Sequence, residues 1–257
     1  MTRVLSGVAL AGAALAAILF LPVFALRVLA CVVAALAAYE YLRIAGADAG
    51  QGHLPIAGVI VSCAIASAQL EAHYEVVIGA ALVLVGSGVL FGGWRLPHAS
   101  AAAFASIYIG VPLGMLVAIH ARYDWPATLL LIATIVVSDT AQYYTGRTFG
   151  RRPLAPAISP KKTVEGAIGG LVLGTTFMAL AALRILPLTG YLPLLVLGLS
   201  VVTLGICGDL FESRLKRSAG VKDSSALIPG HGGVLDRIDA LLFAIPAYYT
   251  YLRLAVP

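Results

Sequence analysis

The stretch LLLIATIVVSDTAQYY, residues 129–144, begins with apolar residues and continues with polar residues. The whole chain is 60% hydrophobic and 11% charged over 257 residues, with a mean hydropathy of +0.96. A soluble domain of this size is about one quarter charged. Apolar runs of about 20 residues cross a bilayer as helices, whereas a membrane barrel shows short alternating strands. We therefore predict an all-α, polytopic integral membrane protein.

The apolar runs predict nine transmembrane helices, with the N-terminus in the cytoplasm. We expect the first run to stay as an uncleaved span, because another apolar run follows it almost at once. With this orientation, 13 of the 17 basic residues lie on the cytoplasmic side, as the positive-inside bias requires. The predicted spans are 4–21, 23–44, 54–71, 74–92, 101–121, 125–146, 164–186, 190–211 and 234–255.

Acidic residues are concentrated in the C-terminal half, where seven of the 12 lie between positions 139 and 239. We therefore expect a membrane scaffold of about five helices over 1–121 and a catalytic membrane region of about four helices, with two cytoplasmic basic loops, over 122–257. The net charge of +5 is interpreted as the positive-inside bias and not as a nucleic-acid surface. Three isolated cysteines predict no disulfide framework.

The eighth predicted span ends in polar residues at helical spacing. The residues at i, i+3, i+4 and i+7 are Asp209, Glu212, Ser213 and Lys216. This spacing places all four on one helix face. A carboxylate near the membrane needs an ionic partner, a metal or a water-filled cavity. A local ion pair with Lys216 is the alternative for Glu212, but it does not account for Asp209, which lies deeper in the span.

The ninth predicted span begins with Asp236 and Asp239, on either side of Arg237. Favourable interaction with the helix N-terminus accounts for one carboxylate. The second, together with Asp209, favours a Mg²⁺ site, because Mg²⁺ takes one or two carboxylates and completes its shell with waters and phosphates.

The loop before this span carries groups that suit phosphate. Lys216, Arg217 and Lys222 can neutralise phosphate oxygens, and the PGHGG turn at 229–233 exposes backbone N–H groups just before a helix. His231 fits a phosphate donor and a simple turn residue equally well.

The earlier loop, within 138–170, begins with a polar patch around Asp139 inside the sixth span. Such a patch in a membrane is functional by default, and an interhelical hydrogen-bond cluster is the alternative. Glu165 follows Lys161 by four residues at the head of the seventh span. Basic residues here can hold anionic lipid headgroups, but their partnership with the second loop favours a polyphosphate. These basic residues are Arg147, Arg151, Arg152, Lys161 and Lys162.

A metal, several phosphates and a membrane-edge cavity predict phosphoryl or nucleotidyl transfer at the interface. A CTP-dependent lipid-alcohol kinase is a second enzyme interpretation. A transporter or channel is the alternative from another class, because membrane carboxylates also suit ion pathways. Against transport, the polar residues cluster at one face.

The segment SRLKRSAGVKDSSALIPGHGGVLDRID, residues 213–239, resembles the signature of the phosphatidate cytidylyltransferases, or CDP-diacylglycerol synthases, without a gap. Residues 139–166 are similar to a second conserved region of that family, with Gln142 where a small residue is expected. The resemblance covers the C-terminal half of the chain well. The N-terminal half is similar only in being hydrophobic.

The resemblance implies an enzyme of the bacterial-type inner membrane that converts CTP and phosphatidate to CDP-diacylglycerol and pyrophosphate. It implies Mg²⁺, with K⁺ as a candidate second ion, and a homodimer. The implied catalytic residues are Asp209, Asp236, Lys216, Arg217 and Asp239. The implied metal ligands are Asp209 and Asp236, with Asp239 and Asp223 as secondary ligands. The implied substrate-binding residues are Asp139, Arg147, Ser159, Lys161, Lys162, Glu165, Ser213, Lys222, Asp223, His231, Gly232, Gly233 and Arg237.

Overall fold

A computed structural model describes residues 2–46, 53–68, 74–91, 95–186, 190–228, 230 and 232–255, and these are predominantly helical. The all-α prediction is confirmed at this level. The α-helices of the described residues are α1 (Thr2–Phe20), α2 (Val23–Ile44), α3 (His53–Ser67), α4 (Tyr74–Phe91), α5 (Leu96–Ala105), α6 (Val111–Phe149), α7 (Val164–Ile185), α8 (Tyr191–Ser218) and α9 (Leu235–Ala255). A π-helical turn, Ser106–Gly110, joins α5 to α6.

Among the described residues, four helical stretches are long and apolar enough to cross a membrane. They are Val23–Ile44, Leu96–Phe149, Val164–Ile185 and Tyr191–Ser218. The chain is therefore a helical protein of membrane-spanning character. The count of nine spans and the orientation stay predictions.

The long stretch Leu96–Phe149 covers two predicted spans, 101–121 and 125–146, and the predicted break between them is present. Asp124 has a non-helical backbone, with φ 64° and ψ 179°, inside an otherwise helical segment. Its Oδ1 accepts a hydrogen bond from the N–H of the next residue, Trp125, at 2.8 Å. Pro126 lacks the N–H that a continuous helix needs and suits a first helical turn. A new helical segment therefore begins here.

The chain folds as two compact units, Met1–Arg122 with Ser218–Ile238, and Tyr123–Arg217 with Asp239–Pro257. The expected division into a scaffold over 1–121 and a catalytic region over 122–257 stays a prediction. Ser218–Ile238, which lies within the signature segment 213–239 and is called the signature loop, belongs to the first unit together with the N-terminal helices. The reason is a set of hydrogen bonds between that loop and α2, described below.

Within the first unit, α3 packs closely against the end of the π-turn and the start of α6. A Cβ atom on Gly110 would meet the carbonyl oxygen of Val59 at 2.6 Å. A Cβ atom on Gly114 would collide with the carbonyl oxygen of Cys63 and with Ala66. Small residues allow this approach between helices in lipid, where packing replaces the hydrophobic drive. The glycines at 110 and 114 therefore set the helix spacing.

Gly114→Ala should destabilise the protein by about 1–3 kcal/mol, because backbone atoms must move to admit the methyl group. Gly12→Ala in α1 is the matched control, since nothing lies within 4 Å of a Cβ atom at that position. The thermal unfolding midpoint of the purified protein in detergent measures both changes. An equal midpoint for the two variants would contradict the packing described here.

Candidate functional site

The loop between α6 and α7 is a β-hairpin, which the sequence did not predict. Strands β1 (Pro153–Ala155) and β2 (Ser159–Thr163) pair antiparallel. The hydroxyl of Thr163 caps α7 by accepting from Gly166 N at 3.1 Å. The hairpin therefore delivers the end of β2 directly to the start of a helix.

Two further contacts hold this hairpin in place. Glu165 Oε2 accepts from the backbone N–H groups of Arg151 at 3.0 Å and Arg152 at 3.2 Å. Arg217 Nε donates to the carbonyl oxygen of Ile158 at 3.3 Å. The structure thus gives Glu165 and Arg217, both predicted to act on substrate, visible roles in shaping the loop.

A cavity of about 510 Å³ opens beside the hairpin in the second unit. Half of its lining consists of residues that the sequence singled out, contributed by α6, β2 and α8. These are Asp139, Arg147, Ser159, Lys161, Lys162 and Asp209. Three cationic side chains and two carboxylates therefore meet in one concave space.

The central interaction of the cavity is an ion pair between Lys162 and Asp209. Lys162 Nζ donates to Asp209 Oδ2, and both side chains are partly buried. Asp209 Oδ1 accepts from Ser213 Oγ at 3.3 Å, one helical turn further along α8. Asp209 and Ser213 thus meet on the predicted face of α8, and Asp209 lines the cavity.

Close packing of α6 against α7 forms one wall of this cavity. A Cβ atom on Gly166 would meet the carbonyl oxygen of Gln142 at 2.8 Å, and one on Gly170 would meet that of Ser138 at 3.0 Å. Gln142 Nε2 donates to Asp139 Oδ1 at 2.9 Å and to Ser138 Oγ at 3.3 Å. The polar patch of α6 therefore contains an intrahelical hydrogen-bond cluster, and Gln142 orients the Asp139 carboxylate.

Glu212 and Lys216 form the local ion pair that was the alternative for Glu212. Lys216 Nζ donates to Glu212 Oε2 at 2.6 Å, and Glu212 is fully buried. Lys216 is also buried and does not line the cavity. Its predicted catalytic role has no direct geometric support, because a buried carboxylate holds its ammonium group.

In the first unit, the Asp236 carboxylate holds the turn that precedes α9. Asp236 Oδ2 accepts from Ser224 N at 2.9 Å and from Gly233 N at 2.7 Å. Gly232 has φ +79°, and a Cβ atom there would lie 2.5 Å from Asp236 Oδ2. A glycine is needed at 232 on both grounds. The carboxylate thus has a fixed orientation within the signature loop.

Glu40 is the residue that the sequence analysis missed. It belongs to α2, is almost completely buried, and accepts hydrogen bonds from four positions of the same signature loop. The available signal was a lone carboxylate in the apolar segment ALAAYEYL, 35–42. Nothing in its spacing points to a loop far along the chain.

The remaining predicted residues divide between the two units. Asp239 lies on α9 in the second unit, where its Oδ1 accepts from Ala240 N at 2.8 Å and its charge interacts with that of Asp209. His231 lies outside the described residues. The others, in the first unit, are the exposed Lys222, Asp223 and Arg237 and the turn residue Gly233.

The carboxylates of the second unit are candidate ligands for a hard cation. The described residues contain no group of three or more His, Cys, Asp or Glu side chains positioned as metal ligands. Mg²⁺ needs only one or two carboxylates when phosphates and waters supply the rest. The charge of Asp209 interacts with those of both Asp139 and Asp239, and such a concentration of negative charge suits a divalent cation.

Comparison with known proteins gives the same family as the signature. A protein from Pseudomonas aeruginosa named phosphatidate cytidylyltransferase is 34% identical over 238 residues, which is 86% of this chain and 84% of that protein. Proteins of the same name from Aquifex aeolicus and Bacillus subtilis are 47% and 42% identical, over 47% and 58% of this chain. Those matches cover 45% and 56% of the relatives, so the chain spans about half their length. The model of the cytidylyltransferase family matches residues 1–255, and the chain belongs to this family.

Proposed function

We propose that the protein is a phosphatidate cytidylyltransferase that makes CDP-diacylglycerol and pyrophosphate from CTP and phosphatidate. The cavity around the Lys162–Asp209 pair carries this proposal, because it combines cationic side chains with carboxylates at the end of membrane-type helices. The names of the relatives add the lipid and the nucleotide to this chemistry.

In this reaction an oxygen of the phosphatidate phosphate attacks the α-phosphorus of CTP in line. The bond to the β-phosphate bridging oxygen breaks, and pyrophosphate leaves. A phosphate monoester is largely ionised near neutral pH, so the nucleophile needs no strong general base. The main task of the protein is to hold two anions together against their repulsion.

The cavity residues suit that task. Arg147, Lys161 and Lys162 can neutralise phosphate oxygens, and Arg can do so with two parallel hydrogen bonds. When a phosphate binds Lys162, it competes with Asp209 for the same ammonium group. Asp209 then becomes available to a cation, so anion and cation binding are coupled at this pair.

Asp209 and Asp239, or Asp209 and Asp139, would hold Mg²⁺ in the second unit. A bound Mg²⁺ supplies charge neutralisation on phosphate oxygens. The resemblance adds Asp236 to the ligands, K⁺ as a second ion and a homodimer, and these assignments stay predictions.

We further propose an inner-membrane protein with nine spans, a cytoplasmic N-terminus and a cytoplasmic active site. The distribution of basic residues supports this orientation. A water-soluble triphosphate can reach a membrane-bound phosphate only where the membrane meets the aqueous phase. Membrane lipids surround the remaining surface of the protein.

Transfer of label from CTP to lipid tests the proposed activity. Purified protein with phosphatidate micelles, Mg²⁺ and α-³²P-CTP should place ³²P in the lipid phase, because the α-phosphate stays with the product. Label should require both phosphatidate and Mg²⁺. With γ-³²P-CTP the lipid should stay unlabelled, and label there with a lipid alcohol would identify a kinase instead. No lipid label from folded protein would overturn the proposal.

Asp236→Asn should reduce turnover by at least about 100-fold if the carboxylate charge is needed at the reacting phosphates. Folding should be retained, because an amide oxygen can still accept from Ser224 N and Gly233 N. Asp124→Asn is the matched control, since the amide oxygen of Asn can still accept from Trp125 N and Asp124 lies at the break in α6. Turnover at the wild-type rate in Asp236→Asn would exclude Asp236 from catalysis.

Single-cysteine labelling tests the orientation. In a background without native cysteines, Lys222→Cys and Gly190→Cys place exposed thiols in the loops before α9 and before α8. The proposed topology predicts that an impermeant maleimide added outside spheroplasts labels position 190 and leaves position 222 unlabelled. Labelling of position 222 from outside would contradict the orientation.

A further inference from the structure

Glu40 is a buried carboxylate whose acceptor positions are all occupied by one distant loop. Only 2% of its surface is exposed. Its Oε1 accepts from Ser225 Oγ at 2.6 Å and from Val234 N at 3.0 Å. Its Oε2 accepts from Leu235 N at 2.8 Å and lies 2.9 Å from Ser224 Oγ. A carboxylate has about four lone-pair sites, so these four groups surround all of its acceptor positions.

Ser224 links this carboxylate to the one at Asp236. Its hydroxyl lies 2.9 Å from Glu40 Oε2 and 2.8 Å from Asp236 Oδ2. A hydroxyl has one proton and therefore donates to one carboxylate at a time. The backbone N–H of Ser224 also donates to Asp236 Oδ2. A displacement of Glu40 would thus be transmitted to Asp236 through Ser224 alone.

Gly233 shows how closely the loop fits around Glu40. A Cβ atom at this position would collide with both carboxylate oxygens of Glu40 and with Ser224 Oγ. Glycine is therefore required at positions 232 and 233 for different reasons. Gly232 makes room for Asp236, and Gly233 makes room for Glu40.

We propose that Glu40 is a positioning residue of the active site, an inference that rests on the proposed function. It touches no substrate. Its carboxylate fixes the backbone at Val234 and Leu235, where α9 begins, and through Ser224 it fixes the orientation of Asp236. The N-terminal helices thereby contribute one specific residue to catalysis and are more than a membrane scaffold.

Glutamine cannot replace Glu40 in either rotamer. An amide nitrogen at the Oε1 position would face the N–H of Val234, and one at the Oε2 position would face the N–H of Leu235. A backbone N–H cannot accept a hydrogen bond, so two donors are opposed in each case. Glu40→Gln therefore tests the charge and the acceptor pattern at nearly constant volume.

The first experiment compares wild type, Glu40→Gln and Glu40→Asp by two readouts. Hydrogen exchange of the peptide around Val234 and Leu235 reports whether Glu40 anchors the loop, and it needs no substrate. Turnover of α-³²P-CTP into lipid reports catalysis. Glu40→Gln should speed exchange in that peptide and lower kcat at least about tenfold, because small misplacement of reacting groups is costly. Glu40→Asp, which keeps the charge, should recover part of both. Wild-type exchange or wild-type kcat in Glu40→Gln overturns the proposal.

A matched serine pair separates positioning from general stability. Ser224 and Ser225 each place a hydroxyl on Glu40, but among the hydrogen bonds of the described residues only the hydroxyl of Ser224 also lies against Asp236. Ser224→Ala should therefore lower kcat more than Ser225→Ala at a similar unfolding midpoint. Equal losses of kcat would show that Glu40 acts only by stabilising the loop, and the positioning role would fall.

Failure of the proposed function gives a different result. A wild-type protein that places no label in lipid overturns the cytidylyltransferase activity and with it the catalytic part of this inference. The hydrogen-exchange comparison then tests only whether Glu40 anchors the loop. Faster exchange at Val234 and Leu235 in Glu40→Gln supports it, and unchanged exchange overturns it.

Discussion

The signature loop depends on the buried charge of Glu40. Removing a carboxylate from water costs several kcal/mol even after the protein relaxes. Hydrogen bonds to a charged group each return about 1.5–3 kcal/mol, so the donors from Ser225, Val234 and Leu235 together are of the same size as that penalty. If the loop moved away, the carboxylate would lose all of these donors at once. The cost of that state, more than the strength of any one bond, holds the loop in one conformation.

Glycines let polar groups meet where side chains would keep them apart. In the second unit, Gly166 and Gly170 bring α7 against the backbone of α6 at Gln142 and Ser138. In the first, Gly233 admits the Glu40 carboxylate. A methyl group at any of these positions would separate elements that carry the polar residues. Small residues thus serve the site as much as they serve helix packing in lipid.

The parts of the site that the sequence predicts are those set by helical spacing. The Glu212–Lys216 pair and the contact of Ser213 with Asp209 both follow from i, i+4 geometry on α8. The Lys162–Asp209 pair joins residues 47 positions apart, and its spacing carries no period. Charge and polarity identified the members of that pair, but only the folded hairpin brings them together.

Glu40 shows why the rest was inaccessible to sequence reasoning. Its partners lie 184 to 195 residues away, and two of them are backbone N–H groups, which have no identity in a sequence. A lone Glu in an apolar helix nevertheless implies a physical requirement. Its carboxylate must accept hydrogen bonds from donors elsewhere in the chain or remain an unpaired charge. The turn GHGG, 230–233, has the complementary property. It exposes backbone N–H donors, and its glycines have no side chains that could block an acceptor. In the folded protein the N–H groups of Val234 and Leu235, just after that turn, donate to Glu40, while Gly233 N donates to Asp236. The same reasoning applies to any membrane protein whose polar loop returns to an apolar helix.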